Sequence, residues 1–415
     1  MGKQRIMHID ANSAYLSWEA VRRLQSGDPL DLRTVPAVVG GDQESRHGIV
    51  LAKSIPAKAY NIRTGETLYS ARSKCPELIV APPDYRLYLQ CSKALGDLLR
   101  EYSPVVEQYS IDEYFLDYSE SQKIFGDPLQ AADRMKDRIR EEFGFTVNIG
   151  VSVNKLLAKM GSELQKPDKV HSLFPEEIPG KMWPLPVEEL FFVGRATAKK
   201  LRDRGISTIG ELAKADSGWL QRLLKSHGLL IWNYANGRDG SPVRRNRHPV
   251  IKSIGNSTTT AFDIEDRQTA HLVLLSLAET VAARLRASGY LAGLAAVSFR
   301  TDEFFGYGRQ RKIDQLTAET NQIHQAACRI FDELWRGEPV RQIGLSAGRL
   351  QPSEAGQPAL FEEENPRKVD RVVDAIREKF GAGAIGRASF LYSGVGSMIG
   401  GTGDISEYPM MSGQL

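Results

Sequence analysis

The 415 residues carry 54 Lys and Arg against 51 Asp and Glu, are 41% hydrophobic and include three cysteines. A chain of this length supports about two to four domains, and no apolar run approaches the roughly 20 residues that cross a bilayer. Met1 to Arg5 leads straight into a strand with no signal-peptide core, and Cys75, Cys91 and Cys328 are too few and too scattered for a disulfide framework or a zinc site, so a soluble, cytoplasmic protein with reduced thiols is expected.

Charge is unevenly placed. Residues 242–350 hold 15 Lys and Arg against 11 Asp and Glu, whereas residues 351–415 hold 6 against 9, so the basic character lies in the body and not in the tail.

The first strand-like run, Arg5 to Asp10, ends in a carboxylate. Ala11 to Gln25 then reads as a helix, with Asn12 or Ser13 as cap and Tyr15, Trp18 and Val21 along one side. Its N-terminus beside Asp10 offers free N–H groups to phosphates. On spacing alone Tyr15 is a core aromatic. Val35 to Gly40 is a short strand, and Gly48 to Lys58 runs from strand into a helix start at Pro56. Lys53, Lys58 and Arg63 make this region basic, which is most simply a solvated face.

Residues 84–102 form an amphipathic helix that leads to two strands, Pro104 to Gln108 and Tyr114 to Tyr118, joined by Tyr109-Ser110-Ile111-Asp112-Glu113. A lone Asp-Glu pair at a turn is ordinary turn chemistry. Together with Asp10, however, three carboxylates at strand ends would raise one another's pKa unless a divalent cation neutralised them. Hard oxygen ligands with open positions suit Mg²⁺ holding substrate phosphates. A helix over 127–143 and a strand over Phe145 to Val153 follow, and then a helix that opens at Asn154 with Lys155 and Lys159 four apart on one face. Lys155 is expected within reach of the same site. Strands alternating with long helices around a hairpin indicate an α+β sheet domain.

Four prolines between Phe174 and Pro186 mark a boundary. Beyond it, Phe192 to Leu201 and Gly205 to Leu212 read as a helix-hairpin-helix, a unit that sets turn amides against a DNA phosphate without reading sequence; a plain helical connection is the alternative. Arg238 to His248, with four arginines, reads as an exposed tether. From Val250 to Leu350 the order is strand, helix (266–288), strand (291–300), strand (304–313), helix (318–336), strand (340–347), a βαββαβ unit. Lys252, Arg300, Arg309 and Arg311 fall on its strands, where they could follow a phosphate backbone.

Taken together, Asp10, Ser110-Ile111-Asp112-Glu113, Asn154-Lys155 and Lys252-Ser253-Ile254-Gly255-Asn256 resemble the Y-family DNA polymerases, most nearly the bacterial polymerase IV type. The resemblance implies a multidomain α+β right hand: a ferredoxin-like palm (1–32 and 84–173), small fingers (33–83), a helix-hairpin-helix thumb (174–240), a linker (241–247), a βαββαβ little finger (248–350) and a C-terminal tail (351–415). It also implies error-prone synthesis past damaged template bases, without proofreading, by a protein that acts as a monomer on primer-template DNA and dNTPs.

Carried over position by position, the resemblance makes Asp10, Asp112 and Glu113 catalytic ligands of two Mg²⁺ ions, for which Mn²⁺ can substitute, with the Ala11 carbonyl completing one shell. It assigns Asn12, Ser13, Ala14, Tyr15, Lys58 and Lys155 to the nucleotide, Tyr15 being the steric gate that excludes a 2′-hydroxyl. Gly194, Thr197, Lys252, Arg300, Arg309 and Arg311 fall to DNA. The family usually has Tyr and Arg where this chain has Ile55 and Lys58, so a hydroxyl is lost and a bidentate guanidinium becomes a point charge. Gln357-Pro358-Ala359-Leu360-Phe361, on a polar stretch, resembles the bacterial sliding-clamp-binding peptide, with Gln357, Leu360 and Phe361 as anchors and a further helix over 366–380 after it. Two rivals stand beside this reading: a catalytically silent DNA-binding scaffold, and a metal-dependent nucleotide cyclase that shares the palm topology.

Overall fold

The computed structural model describes residues 4–42, 46, 48–245, 251–353, 365–391, 393 and 395. These fall into two compact units, one made of the residues up to 41 and from 49 to 245, the other of residues 42, 46, 48 and everything described from 251 onward.

The first unit opens with β1 (Ile6–Ala11), followed by α1 (Ala14–Gln25), β2 (Ala37–Gly40), β3 (Val50–Lys53), α2 (Ile55–Ala59), α3 (Leu68–Lys74), β4 (Ile79–Ala81) and α4 (Tyr85–Tyr102). Next come β5 (Val106–Gln108), β6 (Glu113–Asp117), α5 (Gln122–Phe125), α6 (Pro128–Phe143), β7 (Val147–Ser152), α7 (Lys155–Glu163) and β8 (Val170–Ser172). The long helices start where their caps dictate. The Asp84 carboxylate accepts from the Leu87 N–H at 3.2 Å, and Asp127, followed by Pro128, accepts from Leu129 and Gln130. Gly144, at φ 75°, ends α6 in the left-handed conformation.

Five strands form the main sheet in the order β5-β6-β1-β7-β8, and β3-β2-β4 make a small separate one. Along β1 the pleat sorts the side chains by face. Met7 and Ile9 enter the large core with Tyr88, Leu95, Met135 and Ile139, while Ile6 packs with Phe115, Ala158 and Val243 in a second cluster on the other side. Helix α7 lies against that second side, because β7 carries Gly150 there: a Cβ at Gly150 would stand 1.9 Å from the Ala158 carbonyl oxygen. Larger side chains would push α7 off the sheet.

Five helices complete this unit: α8 (Ile178–Lys181), α9 (Arg195–Arg202), α10 (Ile209–Lys214), α11 (Ser217–Leu224) and α12 (Ser226–Ala235), packed around Met182, Leu190, Leu201, Ile209, Leu220 and Ile231. The expected tether does not begin at Arg238. Asn154 donates to the Gly237 carbonyl at 2.9 Å, the Leu156 N–H donates to Asp239, Val243 is buried, and the Arg244 N–H donates to Glu107 at 2.9 Å. Residues 237–245 are therefore a strap across α7 and β5. The arginine count misled because this strap holds on by its backbone, by the Asp239 carboxylate and by Val243, none of which is an arginine side chain.

The second unit contains β9 (Ser253–Ile264), α13 (Arg267–Ala287), β10 (Tyr290–Thr301), β11 (Gly306–Thr317), α14 (Thr320–Leu334), β12 (Val340–Gly348), β13 (Gln351–Pro352) and α15 (Asn365–Phe380). Its antiparallel sheet runs β11-β10-β12-β9, and Ile254, Val297, Phe299, Ile343 and Leu345 face the buried sides of α13 and α14. Helix α15 and the segment after it are attached by charge: Arg286 of α13 meets Asp370 and Asp374, and buried Glu279 meets Arg377 of the helix and Arg387 beyond it. No described helix is long and apolar enough to cross a membrane.

Candidate active site and nucleic-acid surfaces

The register of β1 against β6 sets Asp10 directly opposite Glu113. Asp112 lies in the turn just before β6, and its carbonyl accepts from the Ala11 N–H at 3.0 Å, so the turn is tied to the end of β1. The Ser110 hydroxyl donates to the Asp112 carboxylate at 2.6 Å. All three predicted carboxylates, with Ala11, thus gather at one end of two adjacent strands.

Each of the two strand carboxylates has a lysine. Lys159 donates to Glu113 at 2.7 Å, and Lys166 binds Asp10 and also Glu163. Burial raises the Asp10 carboxyl against the pull of Lys166, and burial likewise raises Asp112. Burial pushes Glu113 upward too, but His8 and Lys159 outweigh it and bring that carboxyl to about 2. His8 is fully buried, which with the Lys159 charge lowers it to about 4, and its Nδ1 meets the Ser162 hydroxyl at 2.8 Å. The site is a water-poor cluster of carboxylates held in check by ammonium groups.

Lys155 does not join it. Its ammonium donates to both oxygens of buried Glu107, at 3.0 and 2.9 Å, and sits over the Phe115 ring. The reason is helical phase: Lys159, one turn further on, takes the position over Glu113, which leaves Lys155 over Glu107 on β5. Lys166 is the residue that sequence reading missed. It follows the end of α7 and precedes Pro167, so no periodic pattern marked it.

Helix α1 starts three residues later than expected, because β1 runs on through Ala11. Asn12 bonds Thr146 through its backbone and side chain, and Ser13 takes a left-handed turn (φ 49°) without capping the helix by its hydroxyl. The N-terminal turn of α1, at Ala14 and Tyr15, therefore follows the Asp10 end of β1 after only two residues of connection. The Tyr15 ring is half-buried and stacks on Tyr88 at 4.3 Å. Lys58 is exposed on α2, and burial together with the charge of Lys58 lowers Lys53.

In the helical part, Gly194 is the exposed N-terminal cap residue of α9 and carries no side chain to fill its place; Thr197 lies in the first turn. In the second unit, strand alternation leaves one sheet face uncovered by that unit's described residues. A shallow concavity of about 650 Å³ there is lined largely by Gly255, Ser257, Ala296, Ser298, Gly308 and Gly344. Arg300 and Lys252 are exposed. Arg309 and Arg311 are a correction: both guanidiniums engage Glu333 of α14, at 3.0 and 2.7 Å, because their register partners Val297 and Ala295 belong to the helix-covered face. Gln357, Leu360 and Phe361 lie outside the described residues.

Residues 9–163 match the impB/mucB/samB family, residues 175–206 the helix-hairpin-helix motif of that family and residues 251–360 its C-terminal domain. The chain is 44% identical over 389 residues to the DNA polymerase IV of Clostridium acetobutylicum, covering 93% of this chain and 98% of that one. It is 38% identical over 396 residues to the DNA polymerase IV of Acetivibrio thermocellus, covering 94% and 98%. A solved Y-family DNA polymerase chimera of Dbh and Dpo4 has the same fold, with a TM-score of 0.70 at 20% identity over 83% of this chain and 99% of the other. A paired Asp10 and Glu113, a helix-hairpin-helix and a four-stranded C-terminal sheet, in one chain with those relatives, lead to one assignment: the chain belongs to the Y family of DNA polymerases, of the DNA polymerase IV type.

Proposed function

We propose that the protein is a template-directed DNA polymerase that adds dNTPs to a primer 3′ end with two Mg²⁺ ions, without proofreading, in tolerance of DNA damage. The observation that carries this reading is the pairing of Asp10 with Glu113 across β1 and β6, with Asp112 tied to the same strand end. As the side chains stand, no three of His, Cys, Asp or Glu among the described residues converge on a metal position. Lysines occupy the carboxylate oxygens instead, and the donor set fits hard divalent cations once those ammoniums withdraw.

Asp10, Asp112, Glu113 and the Ala11 carbonyl would hold the ions. When bound they supply Lewis acidity that eases deprotonation of the primer 3′-hydroxyl and charge that stabilises the departing pyrophosphate. The chain's own groups do the rest. The turn of residues 12–15 that leads into α1 receives phosphate oxygens at the helix's N-terminal end, and Lys58 adds a point charge from α2. Lys166, already beside Asp10, turns from that carboxylate to the triphosphate and so takes the role expected of Lys155. Tyr15 stands under the sugar and excludes a 2′-hydroxyl.

Primer-template DNA is gripped through its backbone. The amide end of α9 at Gly194 and Thr197 meets one phosphate, and the uncovered sheet with Lys252 and Arg300 admits a duplex closely because its side chains are small. The protein acts as a cytoplasmic monomer, and Leu360 and Phe361, oriented by Gln357, anchor it to the bacterial sliding clamp. Tethering raises the local concentration of primer ends without changing the active site.

Primer extension with Mg²⁺ and dNTPs over a panel of damaged templates tests the proposal. Asp112→Ala and Glu113→Ala are expected to abolish extension while retaining DNA. A wild-type chain that binds primer-template but never extends it is a silent scaffold, and one that does not bind it fits the cyclase. Leu360→Ala with Phe361→Ala is expected to remove clamp-stimulated synthesis and leave distributive synthesis intact.

A further inference from the structure

The Tyr15 ring does not stand alone. Helix α1 carries Tyr15 and Trp18 three residues apart, helix α4 carries Tyr85 and Tyr88 three residues apart, and the two pairs close into a box of four rings. Within it one contact differs from the others. Tyr15 and Tyr88 are stacked with centroids 4.3 Å apart and planes 9° from parallel, whereas Tyr85 and Trp18 touch Tyr15 only edge-on or tilted, at 6.1 and 6.0 Å.

Tyr88 is fully buried, so it cannot itself meet a nucleotide. Its hydroxyl finds no hydrogen-bond partner among the described residues. The ring is held by other rings, stacked on Tyr15 and in contact with Trp18 and Tyr85. The phase of α4 that delivers it is fixed by the Asp84 cap, bonded to the Leu87 N–H one residue before Tyr88.

We propose that Tyr88 is a positioning residue for sugar selection: its ring is the plate that holds Tyr15 in the one orientation in which Tyr15 blocks a 2′-hydroxyl. This rests on the reading of Tyr15 as the sugar-contacting ring. A half-buried Tyr15 with no plate behind it can tilt about its side-chain bonds and yield the volume of one hydroxyl, which is a small displacement for an unsupported ring. Selectivity then depends on a residue that touches no substrate.

The test is the ratio of kcat/KM for dNTP to that for the matching rNTP on a primed template, measured in Tyr88→Leu, Tyr88→Phe and Tyr15→Ala. A ratio taken within one protein is insensitive to partial misfolding, which lowers both terms together. Tyr88→Leu is expected to lower the ratio about threefold to tenfold, the worth of an aromatic pair, while Tyr88→Phe, which keeps the plate and loses only the unsatisfied hydroxyl, leaves it unchanged. If Tyr15→Ala collapses the ratio but Tyr88→Leu does not move it, Tyr88 is core filler and the inference is wrong. If Tyr15→Ala leaves the ratio intact, the gate itself fails and the inference falls with it, a result distinguishable from the first. Should Tyr88→Leu not fold, Tyr88→Trp displaces the Tyr15 ring while keeping a plate, and an unchanged ratio there also overturns the proposal.

Discussion

The two large sheets of this protein handle charge in opposite ways. In the first unit the face under α7 sinks Glu107, Glu113 and Asp10 beneath a helix and its following loop and gives each an ammonium: Lys155, Lys159 and Lys166. In the second unit the concavity on the other face is lined mainly by glycine, alanine and serine, with Asn256 and Gln310 beside them and no carboxylate. Chemistry at a phosphorus atom needs charges set in low dielectric, and buried charges persist only when paired. Holding a duplex irrespective of sequence needs close approach and few obstacles. The contrast teaches that the chain concentrates its buried ion pairs under α7, in the sheet that carries the proposed chemistry, and keeps the concavity of the other sheet free of carboxylates.

The largest expected effect comes from breaking the buried pairing at the end away from the carboxylate cluster. Lys155→Met leaves Glu107 buried and facing only the Arg244 N–H, and removal of one partner from such a pair costs about 3–5 kcal/mol. Urea unfolding should show that loss, and Lys155→Met combined with Glu107→Leu should recover most of it. The folded fraction of Lys155→Met should keep its dNTP KM, whereas a raised KM would return Lys155 to the nucleotide.

The next variant sharpens the same contrast from the catalytic end. Lys166→Ala removes the ammonium shared by Asp10 and Glu163. Loss of one charged hydrogen bond to a triphosphate is worth about tenfold to a hundredfold in KM for dNTP. DNA affinity should be untouched, and an unchanged dNTP KM would confine Lys166 to neutralising Asp10.

Much of this arrangement was legible in the chain, and the exceptions have physical causes. Asp10, Asp112 and Glu113 were readable because strand alternation and a turn fix where carboxylates go, and β1 against β6 needs no long-range information beyond pairing. The order of strands and helices in the C-terminal unit was readable for the same reason. Lys155 was misplaced because helical spacing shows that two lysines share a face but not which of them meets which strand residue. Lys166 carried no periodic signal at all. The strap at 237–245 was hidden because backbone groups, the Gly237 carbonyl and the Arg244 amide, tie it to Asn154 and Glu107, and composition reports only side chains. The aromatic box was likewise invisible, since it joins Tyr15 to Tyr88 across 73 positions of chain.

On the C-terminal sheet, a charge placed where the protein has none should weaken DNA binding. Ser298→Glu puts a carboxylate on the uncovered face between Ala296 and Arg300, with ample room above it. Repulsion from the phosphate backbone is expected to lower primer-template affinity about tenfold at moderate salt, with the deficit shrinking as salt rises. Titration by fluorescence anisotropy at two ionic strengths measures it; equal affinity at both would remove that face from the DNA interface.

The smallest effect is expected at the two arginines that composition alone assigns to DNA. Arg309 and Arg311 share Glu333 on the helix side of their strand, and exposed ion pairs of this kind contribute about 0–1 kcal/mol. Their guanidiniums turn to Glu333 of α14, and their register partners Val297 and Ala295 belong to the helix-covered face. Arg309→Ala with Arg311→Ala should therefore change DNA affinity by less than about twofold and leave the salt dependence in place, whereas Arg300→Ala alone should flatten the slope of log affinity against log salt by about 1. If the double variant instead flattens that slope by about 2, both side chains leave Glu333 to reach phosphates, and the division of the sheet into a covered face and a DNA face would have to be redrawn along β11.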